Sequence, residues 1–209
     1  MAENQRETEV KFCVFNLSQI ETSLDKLKAH LFAARTLEVN LRFDTPNGDF
    51  MHAGRVLRLR KDDRAHLTYK ENGQNISGAL TRREIEFIVD DFDSARQFIE
   101  ALGYEVAFIY EKYRTTYEYK GTHIMLDELP YGNFIEIEGR LEMLRPIADE
   151  LGMDWKKAIP ASYHVLFEQL RKSRRWTFRD LTFENLQDIK VLPEDMTIEF
   201  ADNAAGYEN

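Results

Sequence analysis

Charged side chains recur at every second position along seven segments of the sequence. Successive side chains of a β-strand point to opposite faces, so each of these sets would share one face of a strand. Several sets pair like charges, such as Glu7 with Glu9 and Arg58 with Arg60. Like charges about 7 Å apart repel each other, so the repeated arrangement indicates that a group of opposite charge lies between them.

These residue types predict a binding site for a polyanion accompanied by a divalent cation. Lysine and arginine neutralise phosphate oxygens, and arginine makes bidentate contacts with them. Carboxylates hold Mg²⁺ or Mn²⁺, which are hard cations that take oxygen ligands. A solvated sheet face would explain any one charged segment, whereas seven in succession favour a functional lumen. The aligned cations are Lys11, Arg58, Arg60, Lys70, Lys112 and Arg114, and the carboxylates are Glu7, Glu9, Glu84, Glu86, Asp127, Glu136 and Glu138.

The elements that position these side chains are mostly strands, because apolar residues also alternate with period two. Strands are predicted at about Arg6–Phe15, Leu37–Asp44, Arg55–Lys61, His66–Glu71, Thr81–Val89, Tyr104–Tyr119, Thr122–Glu128 and Asn133–Leu141. Helical spacing predicts helices at Ser18–Ala33, Phe92–Leu102, Leu141–Leu151 and Ala161–Ser173. The pattern indicates an α+β fold around one antiparallel sheet or barrel. If the sheet closes, its charged face becomes the lumen and its apolar face packs against helices outside.

The composition excludes several classes of protein. The chain has 209 residues, with 28 Lys+Arg against 37 Asp+Glu, and its net charge of −9 argues against general nucleic-acid or membrane-surface binding. Cys13 is the single cysteine, so no internal disulfide forms and a cysteine-based metal site is not expected. No apolar run approaches the roughly 20 residues that span a bilayer, and the N-terminus lacks the apolar core of a signal peptide. These features predict a cytoplasmic protein.

The strand and helix patterns weaken towards the C-terminus. Residues 1–175 are predicted to form the tunnel domain. Residues 176–209 are predicted to form a tail that is partly docked through Trp176, Phe178 and Leu181. Arg82 and Arg140 have the parity of lumen residues, and their placement is left open between the lumen and its rim.

The charged segments resemble, in order, the motifs of the CYTH superfamily, also called the triphosphate tunnel metalloenzymes. The blocks are Glu7-Thr8-Glu9-Val10-Lys11, Leu57-Arg58-Leu59-Arg60, Leu67-Thr68-Tyr69-Lys70, Arg83-Glu84-Ile85-Glu86, Glu111-Lys112-Tyr113-Arg114, Met125-Leu126-Asp127 and Gly132-Asn133-Phe134-Ile135-Glu136-Ile137-Glu138. Ser162-Tyr163 is similar to the pair that opens the family's C-terminal helix. The resemblance covers roughly Arg6 to Arg171.

The resemblance implies an eight-stranded antiparallel β-barrel, or tunnel, with a charged lumen and helices packed on the outside. It implies a triphosphate-containing small molecule as ligand and Mg²⁺ or Mn²⁺ as cofactor. Glu7, Glu9 and Lys11 are the implied catalytic residues. The implied triphosphate ligands are Lys11, Arg58, Arg60, Lys70, Lys112 and Arg114. The implied metal ligands are Glu7, Glu9, Asp127, Glu136 and Glu138, with Glu84 and Glu86 as further lumen carboxylates.

The seven blocks leave the reaction open between members of the family. Hydrolysis of inorganic triphosphate or a small organic triphosphate is the first hypothesis, and it places water at the terminal phosphorus. The alternative is a class IV adenylyl cyclase, in which the ribose 3′-hydroxyl attacks the α-phosphorus of ATP and pyrophosphate departs. A non-catalytic polyphosphate-binding module is the third hypothesis. A homodimer is compatible with the sequence.

Overall fold

The protein is described by a computed structural model over residues 6–202. The predictions for residues 1–5 and 203–209, including the end of the tail, lie outside these described residues. The strands are β1 (Arg6–Val14), β2 (His30–Asp44), β3 (Val56–Lys61), β4 (Ala65–Lys70), β5 (Gln74–Ile76), β6 (Ala79–Val89), β7 (Glu105–Tyr119), β8 (Thr122–Leu129) and β9 (Gly132–Glu138). The α-helices are α1 (Leu17–Lys26), α2 (Asp49–His52), α3 (Phe92–Ala101), α4 (Leu141–Glu150) and α5 (Tyr163–Arg174). None of these helices is both long and apolar enough to cross a membrane.

Eight of the nine described strands close into a ring of antiparallel pairs. The order around the ring is β1, β9, β8, β7, β2, β3, β4 and β6, and β6 pairs again with β1. The closing pair sets Glu7 opposite Arg82 and Glu9 opposite Leu80. The short β5 pairs with β6 and takes no place in the ring. The predicted α+β fold with a closed antiparallel tunnel is confirmed, and β5 is an additional strand.

Three helices cover the outside of the ring, as predicted. The apolar residues that alternate with the charged ones on β1 and β9 form one buried cluster with α1 and α4. A second cluster joins Ile99 of α3 to Leu41 and Leu59 of the neighbouring strands. Burial of apolar surface is the main favourable term in folding, so these contacts hold the wall of the tunnel in place. Members of the first cluster include Val10, Phe12, Leu24, Ile135, Ile137 and Leu144.

The helix α5 differs from the other helices because it packs on residues of the lumen face. Cys13 and Phe134 share that face with Lys11 and Glu136, yet they belong to the same buried cluster as α5. The ring of Phe134 lies 5.2 Å from that of Tyr163. Phe108 and Phe167 lie 5.7 Å apart. The first turns of α5 therefore close one end of the tunnel, hereafter the α5 end.

The segment after α5 pairs with strand edges that the ring leaves open. The N–H of Leu181 donates to the carbonyl of Ile109, and the N–H of Glu111 donates to the carbonyl of Leu181, both at 2.9 Å. Near residue 200, the N–H of Ala201 donates to the carbonyl of Cys13 at 2.8 Å. Unpaired backbone groups at a sheet edge are costly when buried, so this segment satisfies them and covers α5.

The start of β2 replaces the second half of a predicted helix. The spacing predicts a helix to Ala33, but α1 ends at Lys26. Lys28 has a φ of 58°, a left-handed conformation that does not continue an α-helix. β2 then begins at His30 and carries register shifts between Leu31 and Thr36 where it pairs with β7. Its first residues are exposed, so the apolar residue Leu31 does not belong to a buried helix face.

Candidate active site in the tunnel

The lumen encloses a cavity of about 430 Å³ whose lining is dominated by charged side chains. Twelve of the thirteen residues predicted for the lumen line this cavity, although they come from six different strands. Asp127 is the exception, since it is fully buried beneath Lys112 and Arg114. The lining residues from the prediction are Glu7, Glu9, Lys11, Arg58, Arg60, Lys70, Glu84, Glu86, Lys112, Arg114, Glu136 and Glu138.

Four carboxylates gather where β1 meets β6 and β9, and we call them the acidic cluster: Glu7, Glu9, Glu84 and Glu138. Glu9 and Glu138 are direct partners across β1 and β9, a position at which like charges repel. Lys70 bridges two members of the cluster, with its Nζ 2.8 Å from Glu7 Oε1 and 3.0 Å from Glu84 Oε2. The cluster is therefore only partly neutralised by protein cations.

Arg82 is the second cation at the acidic cluster. Its Nε lies 3.0 Å from Glu7 Oε2, and its Nη2 lies 3.0 Å from Glu9 Oε1. These contacts place Arg82 in the lumen. Arg140, which has the same parity, lies outside with a side chain that is 72% exposed. The difference arises because β9 ends at Glu138, before Arg140 is reached.

The carboxylates of the acidic cluster have pKa values that differ from those of exposed glutamates. Burial, with repulsion from Glu7, Glu9 and Glu84, raises the pKa of Glu138 to about 7. Burial and Glu7 likewise raise the pKa of Glu84 to about 7. Burial, Glu7 and Glu136 also raise the pKa of Glu9. Burial would raise the pKa of Glu7 as well, but Lys70 and Arg82 outweigh it and keep that pKa below its ordinary value. The three raised pKa values indicate that the cluster contains more carboxylates than its neighbouring cations can neutralise.

A second charged group lies deeper, towards the α5 end, and its cations are Lys11, Lys112 and Arg114. Lys11 Nζ is 3.0 Å from Glu136 Oε1 and lies 4.0 Å from the centre of the Tyr163 ring. Arg114 Nη2 also contacts Glu136. Burial alone would raise the pKa of Glu136, but these cations hold it well below its ordinary value.

Asp127, which is fully buried, anchors these cations. Its Oδ2 accepts hydrogen bonds from Lys112 Nζ at 2.9 Å and from the Tyr163 hydroxyl at 2.8 Å. Arg114 donates to both of its oxygens at 2.6 Å. Both carboxylate oxygens are thus engaged by protein donors, which fixes where Lys112 and Arg114 point. The role of Asp127 as a metal ligand stays a prediction.

The arginines of β3 form the third group. Glu86 receives Arg58 Nη2 at 3.3 Å and Arg60 Nη2 at 3.5 Å. Thr68 donates its hydroxyl to the same carboxylate at 2.7 Å. Burial would raise the pKa of Glu86, but Arg60 and Arg58 lower it overall. Glu86 therefore acts as a counterion that keeps two adjacent guanidinium groups in the lumen.

The sequence prediction does not include two charged residues of β2 at the lumen, Glu38 and Arg42. Glu38 is buried and lies 3.6 Å from Lys112 Nζ and 3.8 Å from Arg60 Nη1. Burial would raise its pKa, but Lys112, Arg114 and Arg60 together lower it to about 2. The signal was present, because Glu38, Asn40 and Arg42 alternate within a predicted strand. It is weaker than elsewhere because these residues do not pair like charges.

The acidic cluster suits a hard divalent cation by the chemistry of its donors, which are all carboxylate oxygens. Within residues 6–202, Glu138 forms no ion pair and Glu9 pairs only with Arg82. No three acidic, histidine or cysteine side chains of that range already converge as a complete ligand set, because Glu7 and Glu136 are turned towards protein cations. The metal-ligand roles of these carboxylates remain predictions.

The comparisons with known proteins agree with this fold and lumen. A family model described as the CYTH domain matches residues 5–143. That match covers well over half of the sequence and includes all thirteen predicted lumen residues, from Glu7 to Glu138. The chain therefore belongs to the CYTH domain family.

Individual relatives share the domain at low sequence identity. A Methanocaldococcus jannaschii protein with a provisional adenylate cyclase name is 27% identical over 135 residues, which are 63% of this chain and 75% of that protein. A solved Vibrio parahaemolyticus protein, also provisionally named an adenylate cyclase, has a TM-score of 0.69 at 23% identity and covers 76% of this chain and 95% of its own. A Hippeastrum protein has a TM-score of 0.58 at 22% identity, and the match covers 78% of this chain and 95% of that protein. It carries an adenylyl cyclase name together with a dominant triphosphatase activity.

Proposed function

We propose that the protein hydrolyses a triphosphate, either inorganic or carried by a small organic group, in a reaction that depends on Mg²⁺ or Mn²⁺. The observation that carries this proposal is the division of charge within one closed cavity. Cations of β3 and β7 supply the positive wall, and the acidic cluster supplies carboxylates, three of which have raised pKa values. A phosphate chain with a divalent cation complements both parts.

The cations would bind the phosphate chain by exchanging one anion for another. Lys11, Lys112 and Arg114 now contact carboxylates, and phosphate oxygens offer them equivalent charge-assisted hydrogen bonds. Arg58 and Arg60 present adjacent guanidinium forks, which suit the planar spread of phosphate oxygens. Lys70 lies between the acidic cluster and this wall. Since phosphoryl transfer needs little covalent work from protein groups, placement of these charges would supply most of the rate enhancement.

The acidic cluster would hold the divalent cation. Glu9 and Glu138 have the fewest protein partners, and their protons would leave when the cation binds. Glu7 and Glu136 would join them as phosphate takes over Lys70, Arg82 and Lys11. A cation bound there would polarise phosphoryl oxygens and lower the pKa of a water molecule, which provides the nucleophile for hydrolysis.

The lining favours hydrolysis over cyclisation of ATP. The two tyrosines of the cavity already have partners, since the ring of Tyr163 faces Lys11 at 4.0 Å and that of Tyr110 stacks on Phe108 at 5.6 Å. Both residues are also buried, so their rings offer little surface to an adenine, and the cavity fits phosphate better than base. The dominant triphosphatase activity of the Hippeastrum protein supports the same choice.

Cyclisation is the second candidate, because the relatives from Methanocaldococcus jannaschii and Vibrio parahaemolyticus carry adenylate cyclase names. The same cations and carboxylates would serve either reaction. The position of the substrate along the tunnel would decide whether the terminal or the α-phosphorus is attacked.

Product analysis separates the candidates. Purified protein is incubated with inorganic triphosphate and, separately, with ATP, each with Mg²⁺ or Mn²⁺, and products are followed by phosphorus NMR and chromatography. Orthophosphate from inorganic triphosphate without cyclic AMP from ATP is the expected result. Formation of cyclic AMP from ATP with stoichiometric pyrophosphate would instead identify the protein as an adenylyl cyclase. Tight binding of triphosphate without any product would indicate a non-catalytic polyphosphate-binding module.

A further inference from the structure

Arg42 is a lining cation of the tunnel that differs from its neighbours in having no counterion. Its side chain lines the cavity from β2. Within residues 6–202 it forms no ion pair and no side-chain hydrogen bond, whereas Arg58, Lys112 and Arg114 each contact a carboxylate. An arginine that is largely removed from water without a partner is costly, so its position calls for an anion.

The surroundings of Arg42 add to this demand. Arg58 is its direct partner across β2 and β3, and like charges in that position are destabilising. The Tyr110 hydroxyl accepts a hydrogen bond from Arg58 Nη1 at 3.3 Å and keeps that guanidinium close by. Burial lowers the pKa of Arg42, and repulsion from Arg58 and Arg82 adds to the effect. An anion between the two guanidinium groups would relieve both burial and repulsion.

Arg42 also lies towards the closed α5 end. On β7 its partner is Phe108, whose ring is 4.4 Å from the His164 ring in the first turn of α5. Lys112, a member of the deeper cation group, lies four residues beyond Phe108 on β7, about 13 Å by strand rise. Arg42 and that group are thus separate contact points for one extended ligand.

We propose that Arg42, together with Arg58, binds the phosphate at the end of the substrate chain and thereby selects chains long enough to contact Lys112 as well. This inference rests on the proposed function, because it assumes that the tunnel takes a phosphate chain. A triphosphate would contact both points. A diphosphate is shorter and would contact only the deeper cation group. Arg42 is accordingly a specificity residue for chain length.

The test compares inorganic triphosphate and inorganic diphosphate as probes, by calorimetric titration without divalent metal so that no turnover consumes them. The proteins are wild type, Arg42→Gln and Arg42→Lys, with Arg140→Gln as the matched control because Arg140 is 72% exposed outside the tunnel. Arg42→Gln should weaken triphosphate binding about tenfold or more and leave diphosphate binding within about twofold. Arg42→Lys should fall between wild type and Arg42→Gln, since it keeps the charge without the fork.

Thermal unfolding without ligand supplies a second readout. If Arg42 serves a ligand, Arg42→Gln removes an unpaired, half-buried charge, and its midpoint should equal or exceed that of wild type. A purely structural role would instead lower the midpoint.

The outcomes separate the inference from the function on which it rests. Unchanged discrimination between the two probes in Arg42→Gln, or equal weakening of both, would overturn the role of Arg42 while leaving the proposed function in place. Failure of the wild-type protein to bind either probe and to hydrolyse triphosphate with Mg²⁺ would overturn the proposed function, and the inference with it.

Discussion

Glu138 is a half-buried carboxylate whose pKa depends on the charges around it. Its pKa is raised to about 7 by burial and by repulsion from Glu7, Glu9 and Glu84. A carboxylate in an unfolded chain titrates near 4.5. The folded protein therefore binds the Glu138 proton more tightly than the unfolded chain between these two values. It follows that the stability due to this group is present below about pH 4.5 and is lost as the pH rises through about 7.

Replacing this residue should make the metal-free protein more stable in alkali. We expect Glu138→Gln to raise the free energy of unfolding relative to wild type by about 2 kcal/mol more at pH 8 than at pH 5, since glutamine does not titrate. Urea unfolding with a chelator, over a series of pH values, measures this difference. His164, whose pKa burial and Arg42 lower to about 4, titrates oppositely but is present in both proteins and cancels.

The control for this experiment is Glu142→Gln, because Glu142 is 67% exposed on α4 outside the tunnel. Its stability relative to wild type should not vary with pH over the same range. If the stabilities of Glu138→Gln and wild type depended on pH in the same way, the pKa of Glu138 would not be raised by its neighbours.

At this scale the sequence identifies lumen residues better than it identifies what each does. Period-two alternation placed the paired charges correctly, because parity along a strand is a local property. It does not separate Asp127, which is fully buried beneath the lumen cations, from Glu136, which lines the cavity. That distinction depends on α5 entering the end of the ring and bringing the Tyr163 hydroxyl to Asp127, a contact between residues distant in sequence.

Among the elements, α5 and the segment that follows it determine how the closed end of the tunnel is built. Leu181 is fully buried, and its backbone pairs with the edge of β7 next to Ile109 and Glu111. Phe167 of α5 packs against Trp176 and Phe178 at 6.3 and 6.1 Å. The segment thus fixes α5, and α5 in turn positions Tyr163 against Lys11 and Asp127.

A core deletion in this segment should weaken the whole fold. Leu181→Ala is expected to lower the free energy of unfolding by about 3 kcal/mol, because it removes buried methyl groups and leaves a cavity. Val165→Ala on α5 is the matched control, since Val165 is 46% exposed, and its effect should stay within about 0.5 kcal/mol. Urea unfolding measures both. A loss for Leu181→Ala no larger than that of the control would mean that this segment contributes little to stability.

The sequence predicts long elements well and short or interrupted ones poorly. Eight strands and four helices were placed because their periodicity extends over several turns or repeats. β5 and α2 have three and four residues, too few for any period to show. α1 was drawn too long because Leu31 continues its apolar spacing, whereas the left-handed backbone at Lys28 ends the helix.

For the molecule as a whole, the net charge of −9 hides a strongly cationic wall inside the ring. Closing the sheet concentrates charges of both signs in one cavity, where the low local dielectric strengthens every interaction. Such an interior is costly without its ligand. We propose that phosphate and a divalent cation together complete it, and that the completed site hydrolyses the terminal phosphate.

The most direct test of this account is the turnover of inorganic triphosphate with Mg²⁺ by wild type, Lys11→Met and Glu9→Gln. Lys26→Met on the exposed side of α1 is the matched control, and circular dichroism verifies that each variant is folded. Both tunnel variants should lose about a hundredfold or more in rate, since each removes a charge placed for the transition state, and the control should keep the wild-type rate. Near-normal rates in folded Lys11→Met and Glu9→Gln would contradict the assignment of catalysis to the tunnel.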